Sequence, residues 1–186
     1  MKNIGLLIVD VQEALVNGNP FNKETTINNI ELLIKECRAN NVEVIYVRHD
    51  GGTGDELEQG TKGWQIYNQI APIDGEKIIE KTYNSAFKNT ELKAYLDEKN
   101  IETIILVGMQ TEYCIDTTCK VAFEHGFTLI IPEETNTTFD NEYMSGKEIH
   151  DYYNFKIWKN IFGRLEKVQD IIKSRIIDWW FRHHKV

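Results

Sequence analysis

The chain has 186 residues, of which 41% are hydrophobic and 27% charged, and carries a formal net charge of −8. That length and balance suit one globular domain, residues 1–186, able to bury a core without staples. The negative charge argues against a nucleic-acid partner, which needs a basic surface, and against an anionic membrane surface.

Three cysteines, Cys37, Cys114 and Cys119, are too few and too odd in number for a disulfide framework. They suit a reducing compartment, so a cytoplasmic location is expected. Ile4 to Val9 (IGLLIV) is a near-continuous apolar run, as expected of a strand buried on both faces. It is too short to cross a membrane, ends at Asp10 and lacks a small-residue cleavage site, so it does not read as a signal peptide. The spacing of Ile27, Ile30, Ile34 and Cys37 predicts a helix over 25–41. Residues 42–47 (VEVIYV) predict a second strand. Residues 51–63 carry five glycines and no apolar periodicity, and read as a long loop of the kind that is often functional. Ile78-Ile79 before Lys81 predicts a third strand. Residues 90–100 predict a helix capped by Thr90. Residues 103–107 (TIILV) predict a fourth strand halted at Gly108. Residues 112–125 predict a helix stopped by Gly126. Residues 127–131 predict a fifth strand stopped by Pro132.

Residues 141–152 are expected to be helical, and 164–168 form either a sixth strand or part of a longer helix. A C-terminal helix is expected at about 170–182. Its Trp179, Trp180 and Phe181 pack on their own sheet, meet a second subunit or, least expected, touch a membrane. The alternation of strands and helices implies βαβ units and a mostly parallel sheet covered on both faces.

In such sheets, ligands sit at the carboxyl ends of the strands, where strand order reverses. Asp10, Lys81 and Cys114 all fall at or just past predicted strand ends. With Thr111 as N-cap, Cys114 lies in the first turn of a helix, where free N–H groups and the positive helix end favour an anion. A thiol there is expected to have a lowered pKa, and the same N–H groups can hold an oxyanion. The bland alternative is that Cys114 is a small buried apolar residue, the role assigned to Cys37 and Cys119. Asp10 either caps a loop, binds a metal or acts as general base toward the thiol. A buried Lys81 between the two would favour both anions. No HExxH, CxxC, GxGxxG or P-loop spacing occurs, so neither metal nor cofactor binding has a signature. His49, His125, His150, His183 and His184 form no ligand pattern.

Three blocks, residues 6–12 (LLIVDVQ), 81–87 (KTYNSAF) and 108–115 (GMQTEYCI), each at a predicted strand end, together resemble the isochorismatase-like cysteine hydrolases. The resemblance runs in order from about residue 4 to about residue 168. It implies an α/β, Rossmann-like three-layer fold with a six-stranded, mostly parallel sheet and helices on both faces. It implies an Asp-Lys-Cys triad on Asp10, Lys81 and Cys114, and a cis peptide bond at Met109–Gln110. The N–H groups of Gln110 and Cys114 would then form an oxyanion hole. Members cleave small amides through a cysteine thioester, or a vinyl ether as in isochorismate. The Asp-x-His metal motif of the nicotinamidases is missing from Tyr46-Val47-Arg48-His49-Asp50, which points to a metal-free branch. Gln12, His49, Trp64, Phe87 and Tyr113 are expected to contact substrate, although core packing is the alternative for Trp64, Phe87 and Tyr113, and His49 could instead hydrogen-bond its loop.

The leading expectation is therefore a hydrolase of a small-molecule C–N amide-type bond. The alternatives are an ether hydrolase or a catalytically silent binding protein on the same fold. The family likeness also implies a homodimer or higher homo-oligomer.

Overall fold

A computed structural model describes residues 3–173. Strands β1 (Asn3–Val9), β2 (Glu43–His49), β3 (Lys77–Lys81), β4 (Ile101–Met109), β5 (Thr128–Pro132), β6 (Asn136–Thr137) and β7 (Arg164–Glu166) form one parallel sheet. Helices α1 (Glu13–Asn17), α2 (Lys23–Ala39), α3 (Leu92–Glu98), α4 (Asp116–Glu124), α5 (Gly146–Asp151) and α6 (Val168–Lys173) connect them.

The order across the sheet is β3-β2-β1-β4-β5-β7, with β6 paired to β4. Seven strands thus fill six lanes. β5 runs beside Thr103–Ile105 of β4 and then continues against β7, and β6 takes the vacated place beside Gly108–Met109. The expected six-stranded sheet is met in its lanes, and the extra strand is a two-residue patch with no apolar pattern to announce it.

β1 explains its own sequence. Leu6 and Ile8 join a core with Ile27, Ile30, Leu33 and Ile34 of α2 and Val168 and Ile171 of α6. Leu7 and Val9 join a second core with Leu92 and Leu96 of α3, Cys119 and Ala122 of α4, and Trp158. Alternate side chains serve opposite faces, so a strand covered on both sides must be apolar throughout. Cys37 and Cys119 are fully buried in these cores.

Several predicted boundaries shift. The helix expected over 25–41 spans Lys23–Ala39. That expected over 90–100 shrinks to Leu92–Glu98, with Glu91 rather than Thr90 at its N-cap; the Thr90 hydroxyl donates to the Ala86 carbonyl instead. That expected over 141–152 begins only at Gly146, behind a capping box of Ser145 and Glu148. The chain from Tyr152 to Trp158 then widens into a π-helical turn. Residues 164–166 adopt the strand alternative. The expected helix at about 170–182 is described only as far as Lys173; Trp179, Trp180 and Phe181 lie outside the described residues. Among those residues, no helix is long and apolar enough to cross a membrane.

Candidate active site

β1 lies between β2 and β4, so successive connections leave it in opposite directions and open a crevice at its carboxyl end. Asp10 sits there, immediately after β1, with a left-handed backbone (φ 53°) and its N–H donating to the Val47 carbonyl at 2.9 Å. Gly108 allows the two strands to close at this point. It has φ 130°, and a Cβ on it would stand 2.0 Å from the Val9 carbonyl oxygen. No side chain fits at that position.

β4 then passes through a cis Met109–Gln110 bond into a π-helical turn, Thr111–Ile115, that continues as α4. Gln110, not Thr111, is the N-cap, and its carbonyl accepts from the N–H groups of Tyr113 and Ile115, both at 3.1 Å. The Thr111 hydroxyl points elsewhere, donating to Asn136 Oδ1 at 2.9 Å. The expected N-cap role of Thr111 is thus taken by the preceding residue, while Cys114 still falls in the first turn.

Lys81 ends β3 directly opposite His49 of β2. Parallel register puts the two side chains side by side, and their nitrogens are 3.0 Å apart. The Lys81 ammonium also lies 2.6 Å from Asp10 Oδ2 and 3.2 Å from Cys114 Sγ. An ammonium has three N–H donors, and here each has its own acceptor: a carboxylate, an imidazole nitrogen and a sulfur. The Lys81 ammonium thereby joins the other two residues flagged at strand ends, Asp10 and Cys114, although all three are far apart in sequence. Both charged side chains are almost completely buried.

Burial pushes the Asp10 carboxyl above its ordinary range, against the opposing pull of Lys81. Its Oδ1 is buried and has no hydrogen-bond partner. Burial, and then the Lys81 charge, holds His49 below its ordinary value, so the ring is neutral and Nδ1 can accept from Lys81. Cys114 corrects an expectation. Its thiol is not lowered but pushed up to about 12, first by burial and then by the Asp10 charge, with Lys81 opposing. A helix N-terminus is worth roughly 0.3–1 kcal/mol to an anion, less than one pK unit. Desolvation beside a carboxylate outweighs it. The resting group is a thiol next to a charged pair.

A cavity of about 160 Å³ opens onto this cluster. Asp10, His49, Gln110, Tyr113 and Cys114 line it, as do Leu15, Leu57 and Asn84. Sequence reasoning missed the last three. Asn84 stands three residues past Lys81 in the quoted 81–87 block, and its Oδ1 is 3.9 Å from the sulfur. Leu57 comes from the glycine-rich loop.

Three expected substrate contacts are placed differently. Gln12 is fully buried and its amide is spent on backbone. Nε2 donates to the His49 and Trp64 carbonyls, and Oε1 accepts from the His49 N–H, all at 2.9 Å. It ties β2 to the loop and does not line the cavity. Trp64 packs under the Arg48 guanidinium, 3.3 Å from its ring centroid, and contributes its carbonyl to the Gln12 clamp. Phe87 faces the second core, against His125 and Phe127. Among the described residues, no group of three or more His, Cys, Asp or Glu side chains is arranged to hold a metal.

The Isochorismatase domain, as a family, matches residues 5–152 of this chain. The chain belongs to the isochorismatase family. It is 30% identical over 169 residues to the secreted isochorismatase effector Isc1 of Verticillium dahliae, covering 89% of this chain and 88% of that one. It is 34% identical over 139 residues to N-carbamoylsarcosine amidase of an Arthrobacter species, covering 63% of this chain and 53% of the amidase. The match thus spans only about half the length of some curated relatives. The crystal structure of an isochorismatase family protein superposes with a TM-score of 0.83 at 27% identity, covering 90% of this chain and 99% of that one. The chain is a hydrolase of this family, and its parallel α/β sheet is the family's fold.

Proposed function

We propose that this isochorismatase-family protein hydrolyses a C–N amide-type bond of a small molecule, with Cys114 as nucleophile. The observation that carries this reading is the single buried ammonium of Lys81 shared between Asp10 Oδ2 and Cys114 Sγ. Asp10 lines the cavity, and Oδ1 of the same carboxylate is buried without a partner. That oxygen is a proton acceptor in reserve.

When a carbonyl carbon enters the cavity, Asp10 takes the Cys114 proton as sulfur attacks, and the thiolate never accumulates free. A raised carboxyl pKa suits this group, because it must hold a proton and then give it to the departing nitrogen. Lys81 stays charged between the two, offsetting whichever of them is the anion. The N–H groups of Gln110 and Cys114 hold the oxyanion. The resulting thioester is cleaved by water that Asp10 deprotonates. The amidase relative supports C–N cleavage over ether cleavage, which needs no sulfur nucleophile.

The test is ammonia release from a panel of small primary amides, with intact-mass detection of an acyl adduct on Cys114. An adduct and turnover in the wild type, both lost in Cys114→Ala, are expected. A Cys114→Ala protein that still turns over the same amide would end this reading.

A further inference from the structure

Resting on that C–N reading, we infer that the part of the substrate entering the cavity is an uncharged carboxamide head, and that carboxylate-bearing heads are rejected. The charge inventory of the cavity carries this. Its lining contains one carboxylate, Asp10, and no arginine or lysine. The nearest cation, Lys81, is fully buried behind the lining, and its three donors are committed to Asp10, His49 and Cys114. A substrate carboxylate could bind it only by displacing one of these, and two carboxylates on one buried ammonium leave a net buried negative charge.

Neither Arg48 nor His49 supplies a free positive charge. The Arg48 guanidinium lies on the Trp64 ring and pairs with Glu80. His49 is neutral, with its Nδ1 lone pair occupied by Lys81, so that it offers the cavity an N–H and no charge. The loop that supplies Leu57 carries Asp50, Asp55, Glu56 and Glu58 against one lysine, Lys62. Asp50 and Asp55 are close enough for His49 to feel their charge. The net negative charge of this loop opposes an incoming anion.

The remaining polar side chains of the lining are neutral: the Tyr113 hydroxyl and two amides. Asn84 and Gln110 both line the cavity, and each side-chain amide is a neutral donor and acceptor. A primary carboxamide is a neutral donor–acceptor pair of the same kind. Leu15 and Leu57 supply apolar wall. At about 160 Å³ the space is below the roughly 300–1,000 Å³ of drug-sized pockets, so it selects a small head rather than a whole large ligand.

The sulfur itself can report this preference without any substrate in hand. Iodoacetamide and iodoacetate have nearly the same shape and differ by one negative charge. Labelling of Cys114 in the full chain by each reagent at pH 9 is followed by peptide mass spectrometry. 2-Mercaptoethanol under the same conditions gives the intrinsic ratio of the two rates. Cys114 should favour iodoacetamide at least tenfold more than the free thiol does. A ratio equal to or below the free-thiol value would overturn the charge inference, and so would failure of iodoacetamide to label at all, since the cavity would not be admitting a neutral carboxamide. The C–N reading is judged separately, by ammonia release. Turnover of anionic amides above matched neutral ones would sink the charge inference and leave the amidase reading standing.

Discussion

Two buried polar clusters flank the turn at Thr111–Ile115, and they are built on opposite principles. One is neutral and closed. Thr111 donates to Asn136, Asn136 and Asn154 exchange amide hydrogen bonds at 2.9 and 3.0 Å, and Asn154 also donates to the His150 carbonyl. Beside it, Trp158 Nε1 donates to Asp116. None of these side chains has a buried polar atom without a partner. The other cluster, Asp10, Lys81, His49 and Cys114, is charged; Asp10, His49 and Cys114 line the cavity, and Asp10 Oδ1 is buried without a partner. A satisfied buried network rigidifies a fold, while an unsatisfied group needs another explanation. The neutral cluster fixes the turn that carries the sulfur, and the charged one leaves a buried carboxylate oxygen unsatisfied.

The two clusters should differ most at the sulfur. Cys114→Ala should lower amide turnover by at least ~10³-fold, in line with loss of a covalent nucleophile. Its urea midpoint should stay near that of the wild type, because the half-buried sulfur adds little packing. Lys81→Met is the next largest effect, and it falls on stability. It strands Asp10 as an uncompensated buried charge, which costs about 3–5 kcal/mol. Adding Asp10→Asn removes that charge and should return about half of the loss or more by urea denaturation. If the double variant were no more stable than Lys81→Met, the ion pair would not be what the loss reports.

The neutral cluster should answer differently. Asn154→Leu leaves the Asn136 amide and the His150 carbonyl short of partners, at about 1–3 kcal/mol. Activity should fall less than tenfold at a temperature where the variant is folded. A loss as deep as that of Cys114→Ala would mean that the two clusters are one functional unit.

Much of this was legible in sequence because it rests on local patterns. The continuous apolar run of β1 follows from burial on both faces, and Asp10, Lys81 and Cys114 stand out as reactive side chains at strand ends. What escaped depends on distant partners. β6 is only Asn136–Thr137, paired because β5 turns away and because Thr111 and Asn154 hold Asn136. Gln12 lies beside Asp10 in sequence, yet its amide is consumed by His49 and Trp64, which no spacing announces. Phe87 follows Lys81 by six residues, but it packs into the second core against His125 and Phe127 and does not line the cavity.

The thiol is where local reading misled most, and pH sharpens that last contrast. A helix-terminal thiol read from sequence alone should label with iodoacetamide on a plateau already reached below pH 7. A thiol pushed up to about 12 should instead label faster by about tenfold per pH unit from pH 7 to 10, without a plateau. The same shift has a sign in stability. The folded chain holds the Cys114 proton more tightly than the unfolded chain, whose thiol titrates near 9. The folded state is therefore favoured fully below pH 9, and that advantage is lost as pH rises toward 12. One such group contributes at most about 1.4 kcal/mol per pH unit in that window. Cys37 and Cys119, also pushed up to about 12 by burial, act in the same direction. Urea midpoints should fall above pH 9 in the wild type and fall less steeply in Cys114→Ala, with the two buried core cysteines accounting for what remains. Parallel curves for the two proteins would mean that the Cys114 proton is no more tightly held in the fold than out of it, and that the sulfur lies closer to a free thiolate than its surroundings dictate.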